Sequence, residues 1–136
     1  MPSRPPRTPA PRSFMLVASL LIVAVAGLVS VSAQARHDFQ VSAHKYAYKI
    51  EGSDKLEIRV TQGDVVHITF SSDDIAHSFT IEDYRIMKRA ERGKPATFDI
   101  VADKVSPPGG FPIKCTLTED SRCKELAAVL IVEAKK

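Results

Sequence analysis

The chain has 136 residues, with nine prolines, two cysteines, no tryptophan and 19 basic against 16 acidic side chains. Arg4, Arg7 and Arg12 are the only charged residues in 1–35, so residues 36–136 hold 16 basic and 16 acidic groups and are formally neutral. That balance excludes reading the overall +3 as a nucleic-acid or anionic-lipid signal. The segment after the leader, about 100 residues, is the size of one domain and too short for a multi-domain enzyme.

The leader, 1–35, opens with prolines and arginines and continues as Phe14 to Ala33, a run without a charge. Ala33-Gln34-Ala35 ends it, with small side chains at the two positions that a signal peptidase inspects. A basic start, an apolar run and an A-x-A site describe a secretory signal peptide, with Arg36 as the first mature residue. Left uncleaved, residues 14–33 would be a single membrane anchor, because ~20 apolar residues span a bilayer. Either reading places 36–136 outside the cytoplasm, in a periplasmic or other extracytoplasmic space. There Cys115 and Cys123 would either pair or hold a metal.

From Asp38 onward the pattern has a period of two. Phe39, Val41 and Ala43 alternate with polar residues, and Tyr46 and Tyr48 come next. Leu56, Ile58 and Val60 form the next run, then Val66, Ile68 and Phe70, then Phe79 and Ile81, then Phe98 and Ile100. The last run, Leu126 to Val132, is almost wholly apolar, as in a strand buried on both faces. Turn chemistry separates the runs at Gly52-Ser53-Asp54, Gln62-Gly63-Asp64, Ser71 to Asp74, Arg92 to Pro95 and Pro107 to Gly110. Roughly seven to eight short strands at this spacing predict an all-β sandwich. The one helical candidate is a turn around Glu119 to Lys124. No Ser/His/Asp spacing, Gly-rich phosphate loop or CxxC pair appears, so hydrolase, nucleotide and thioredoxin-like chemistries find no support.

The stretches Lys45 to Tyr48, Leu56 to Asp64 and Asp73 to Ile81 resemble the cupredoxin superfamily. In particular they resemble the periplasmic copper A domain of cytochrome c oxidase subunit II and nitrous oxide reductase. Tyr84-Arg85-Ile86, Ala102-Asp103-Lys104, Phe111 to Cys115 and Leu126 to Val132 continue the likeness in the same order, covering nearly the whole of 36–136. The resemblance implies a cupredoxin-like Greek-key β-sandwich. It also implies a copper site built from an upstream His and a late loop spaced Cys-x3-Cys-x3-His-x2-Met, where soft thiolates and imidazoles hold copper.

On this sequence His77 stands at the upstream His position and Cys115 at the first Cys. Glu119 stands where the second bridging Cys would be, Cys123 at the late His, and Leu126 at the Met. A normal two-copper centre is therefore not expected. A blue-copper site is not expected either, since none of His37, His44, His67 and His77 lies after Cys115. Two readings stay open. Cys115 and Cys123 form a disulfide that closes a short loop, or both sulfurs join His77, with Glu119 as a weaker fourth ligand, in a site for a single copper ion.

The remaining candidates read more simply. His67 is a surface strand residue, and His37 and His44 lie near the mature N-terminus. The acid pairs Asp73-Asp74, Glu82-Asp83 and Glu119-Asp120 read as solvated turns. Lys88 to Lys94 reads as a solvated basic hairpin loop, with an acidic docking partner as its functional alternative. The expectation is an exported, non-catalytic domain for copper handling or electron transfer, at most an accessory domain of a respiratory oxidase. Its partner would be a redox or copper-transfer protein, with no nucleic acid and with membrane contact only through 14–33. The alternative is a metal-free structural or interaction module.

Overall fold

Alternating β-branched and aromatic residues extend the chain into nine strands among the described residues. In this computed structural model those are 34–136, with the isolated positions 3, 6 and 9. The strands are β1 (Arg36–His44), β2 (Ala47–Ile50), β3 (Glu57–Thr61), β4 (Val65–Ser72), β5 (His77–Ile81), β6 (Ile86–Ala90), β7 (Ala96–Val101), β8 (Phe111–Lys114) and β9 (Ala127–Glu133). The signal-peptide and anchor readings of 1–35 concern a segment almost wholly outside the described residues. Among the described residues no helix is long and apolar enough to cross a membrane.

Two sheets form, ordered β2-β1-β4-β7 and β3-β9-β8-β5-β6. β1 runs parallel to β4 and β3 parallel to β9, while the other ladders are antiparallel. Because successive side chains of a strand point to opposite faces, one face of each sheet is apolar. Val41, Ile50, Val66, Ile68, Phe70 and Ile100 of the first sheet are buried, as are Ile58, Phe79, Ile81, Ile113, Leu130 and Val132 of the second. At the centre the Phe79 ring lies 5.3 Å from Phe98, 5.7 Å from Phe70 and 6.4 Å from Tyr48, between centroids. Tilted and edge-on ring pairs of this kind add about 0.5–1.5 kcal/mol each beyond their burial.

Several elements differ from the sequence pattern. β6 carries no clear alternation and β8 is only four residues long, yet both form; β6 places Lys88 and Arg89 on a strand rather than in the hairpin loop. β9 is not buried on both faces: its residues alternate, with Ala127 exposed and Val129 and Ile131 half-buried. The turn expected near Glu119 to Lys124 is a 3₁₀ turn at Cys123–Glu125, and a second one spans Glu82–Tyr84.

The connections define two ends. Lys45-Tyr46, Asp73 to Ala76, Glu91 to Pro95 and Cys115 to Leu126 gather at one end; Gln62 to Asp64 and Ala102 to Gly110 lie at the other. At that second end Gly110 has a backbone φ of +83°, and a Cβ there would meet the Leu130 carbonyl oxygen at 2.9 Å. Only glycine lets the loop pass so close to β9 on its way into β8, and β8 leads directly to Cys115.

Candidate metal centre

The tight turn from β4 to β5 brings Asp74 back onto His77. Nε2–H of His77 donates to Oδ1 of Asp74 at 2.9 Å, and the ring is almost fully enclosed, at 1% exposed. With the proton on Nε2, Nδ1 carries the lone pair. That atom is buried and has no hydrogen-bond partner.

Asp74 is held by more than the imidazole. The Lys45 amide donates to its Oδ2, the Ser72 hydroxyl to its Oδ1 at 3.4 Å, and Nδ1 of the exposed His44 lies 3.9 Å from Oδ2. Burial pushes this carboxyl up, but the backbone N–H groups of Ile75 and Lys45 and the His77 ring outweigh it and hold it below the usual range. A carboxylate that orients a histidine in this way is the second-layer arrangement found behind metal-ligating imidazoles.

Across the sheet, β5 meets β8 at Thr80 and Lys114. Continuing this antiparallel register sets Cys115 opposite Phe79, so His77 and Cys115 share the inward face as diagonal neighbours. The Ser78 amide donates to the Cys115 sulfur at 3.3 Å, and the Thr116 amide donates to the Ser78 hydroxyl at 2.8 Å. The Tyr48 hydroxyl donates to the Ser78 carbonyl at 2.5 Å, and burial raises its phenol pKa well above the usual range.

Cys115 is joined to Cys123 as a disulfide, with Cα atoms 5.3 Å apart. Both cysteines are buried. Glu119, midway along the loop, points elsewhere. Its carboxylate is 60% exposed and takes two hydrogen bonds from the Arg89 guanidinium, one of them at 3.0 Å, which lower its pKa.

The structure thus brings His77, Cys115 and Cys123 to one end of the sandwich and ties Glu119 to Arg89. Two other histidines stand apart from this cluster: His37 pairs with Asp64 at 2.9 Å, and half-buried His67 pairs with Asp99. Among the described residues no group of three or more His, Cys, Asp or Glu side chains stands ready to hold a metal ion. In the disulfide form the sulfurs are spent on each other, and only the His77 Nδ1 lone pair fits copper. Reduction would free two thiolates, and thiolates together with an imidazole nitrogen are the donor types that suit Cu(I).

Asp74, which the sequence pattern presents as a solvated turn acid, instead turns back to hold the buried His77 ring. Its signal in the sequence is its place three residues before His77.

No family model matches the chain, and no curated protein matches it. Solved structures do. The chain is similar to a heme-copper terminal oxidase dimer determined by cryo-EM, at 21% identity and a TM-score of 0.64 over 74% of this chain and 66% of that one. It is similar to the periplasmic domain of subunit II of cytochrome oxidase (CoxB) of Bradyrhizobium japonicum, at 13% identity and a TM-score of 0.60 over 76% and 88%. A third neighbour is the mixed disulfide intermediate between thioredoxin-like TlpAs and subunit II of cytochrome c oxidase, at 12% identity and a TM-score of 0.55 over 79% and 88%. The chain therefore has the cupredoxin-like sandwich fold, in the form seen in oxidase subunit II domains.

Proposed function

We propose that residues 36–136 form an extracytoplasmic, non-catalytic domain that takes up one copper ion as Cu(I) when Cys115 and Cys123 are reduced. Its ligands are the two thiolates and Nδ1 of His77. The observation that carries this reading is the lone pair on His77 Nδ1, buried without a partner while Asp74 holds the opposite nitrogen. A buried polar atom left unsatisfied costs about 1–3 kcal/mol, so it calls for a ligand. Glu119 is left out of the set because Arg89 already engages both of its oxygens.

Bound copper supplies one-electron chemistry and a labile soft ion, which suits electron transfer or copper handling. The residues around it hold the imidazole in one tautomer, keep water from the sulfurs and fix one sulfur against the Ser78 amide. Uptake needs a two-electron reduction of the disulfide. A dithiol protein of the thioredoxin-like kind fits as partner, by analogy with the neighbour trapped as a mixed disulfide. The extracytoplasmic location likewise rests on the leader and on the periplasmic neighbour.

A second reading is favoured by a specific observation, the Cys115–Cys123 disulfide itself. Kept permanently oxidised, the domain would be a metal-free structural or interaction module.

The test is a competition titration of the reduced protein against a coloured Cu(I) chelator, on wild type and His77→Ala. Tight binding of one Cu(I) that weakens at least tenfold in the variant supports the reading. Equal affinities would remove His77 from the site.

A further inference from the structure

The loop from Cys115 to Leu126 carries a set of noncovalent ties that duplicate the work of the disulfide. Cys115 follows directly on the β8 ladder, which ends at Lys114, and is held by the Ser78 amide on its sulfur. Cys123 is fixed from its own side: its amide donates to the Asp120 carbonyl at 3.1 Å, and its carbonyl accepts from Leu126, itself fully buried.

Two arginines then clamp the loop to the body. Arg89 of β6 grips Glu119 with both terminal nitrogens and is steadied by Glu91 at 3.2 Å. Arg122, next to Cys123, lays its guanidinium 3.7 Å from the centre of the Tyr46 ring in the β1–β2 turn. The same guanidinium bonds both oxygens of Glu125, at 2.9 and 3.0 Å. A planar guanidinium that stacks and makes paired hydrogen bonds loses little further freedom in doing so.

We infer that Arg89 and Arg122 hold this loop closed independently of the disulfide, so that reduction leaves Cys115 and Cys123 facing each other as a ready thiol pair. They are positioning residues for the sulfurs. Their effect is on effective concentration: two thiols held at the disulfide separation re-close far more readily than two thiols on a free loop. The disulfide is therefore harder to reduce than its short loop alone would make it, and the reduced pair needs no folding step before it is used. The inference rests on the copper reading for its purpose and on the disulfide alone for its measurement.

The full chain is equilibrated without oxygen in glutathione buffers, and thiols are counted by alkylation and mass spectrometry. Each disulfide opened takes two electrons and two protons from two glutathione molecules, which leave as one glutathione disulfide. In R89Q/R122Q the disulfide-to-dithiol ratio at a given buffer should fall about tenfold, equivalent to about 30 mV for this two-electron couple. The charge swap R89E/E119R should return close to the wild-type ratio. Should the double variant fail to fold, E119Q, altered at an exposed carboxylate, should lower the ratio about threefold.

A double variant or E119Q within experimental error of wild type overturns the inference, as does a charge swap no better than R89E alone. Shifted ratios in a protein that binds no Cu(I) would leave the inference standing and sink the copper reading only.

Discussion

Nε2 of His77 donates to Oδ1 of Asp74 at 2.9 Å, and this one bond decides which nitrogen of the buried ring is left as an acceptor. Without it the imidazole could place its proton on either nitrogen. Asp74→Ala should therefore lower the Cu(I) affinity of the reduced protein by about 10–100-fold, the usual cost of removing a carboxylate behind a ligating imidazole. The disulfide should still form. A competition titration beside a thiol count separates the two effects, and unchanged copper affinity would deny Asp74 this role.

The disulfide closes a short loop, with a sequence separation of 8. Opening it should cost ~2–3 kcal/mol of unfolding free energy in the chain-entropy model. Cys115→Ser/Cys123→Ser should accordingly melt about 10 °C or more below the oxidised wild type, given a domain of this size. Calorimetry of the oxidised, reduced and double-serine forms checks this.

Gly110 should be intolerant of any side chain. Its φ of +83° and the 2.9 Å approach to the Leu130 carbonyl mean that Gly110→Ala adds both backbone strain and a clash with backbone that cannot turn away. A loss of about 2 kcal/mol or more is expected in urea unfolding. Gly52→Ala, where a Cβ meets nothing within 4 Å, isolates the backbone part and should cost less.

Acid should loosen the outer face of the first sheet. A hydrogen bond from His67, more than the nearby Arg36, holds the exposed Asp99 carboxyl below its usual pKa. A carboxyl depressed in the folded state stabilises it above the unfolded value of about 3.9 and loses that contribution as pH falls through the folded value. The melting temperature should therefore drop more steeply below about pH 4 in wild type than in Asp99→Asn. Parallel curves for the two proteins would contradict this.

Much of the sandwich is legible in the sequence, because strands with one buried face write their alternation into the chain, as Val66, Ile68 and Phe70 do. β6 is not legible in that way: as an edge strand it exposes Met87, Lys88 and Arg89 in succession, so no face stands out. β8 has four residues, one of them a proline, too few to show a period. β9 misleads in the other direction. Its outward Val129 is half-covered, and a run of aliphatic residues there looks like two-sided burial.

At the candidate site, it is the resemblance that singles out His77, Cys115 and Cys123, and the structure joins the two cysteines and brings all three to one end of the sandwich. Their supports are not legible in this way. The Arg89–Glu119 grip and the Arg122–Tyr46 stack join residues from different strands and loops, and local spacing gives no notice of them. Asp74 is the exception, since it acts on a residue three positions away. Tyr48 is readable as a strand aromatic, but its hydroxyl on the Ser78 carbonyl depends on the meeting of the two sheets.

On the proposed reading, one end of this sandwich takes a single copper ion only when its two sulfurs are reduced. Native mass spectrometry tests it most directly, on protein exported and purified without reductant and on the same protein reduced without oxygen, each before and after addition of Cu(I). The untreated protein should lack two hydrogens and take no copper, while the reduced protein should gain the mass of one copper ion. A reduced protein that stays metal-free at stoichiometric Cu(I) would contradict it and leave the domain a disulfide-closed module.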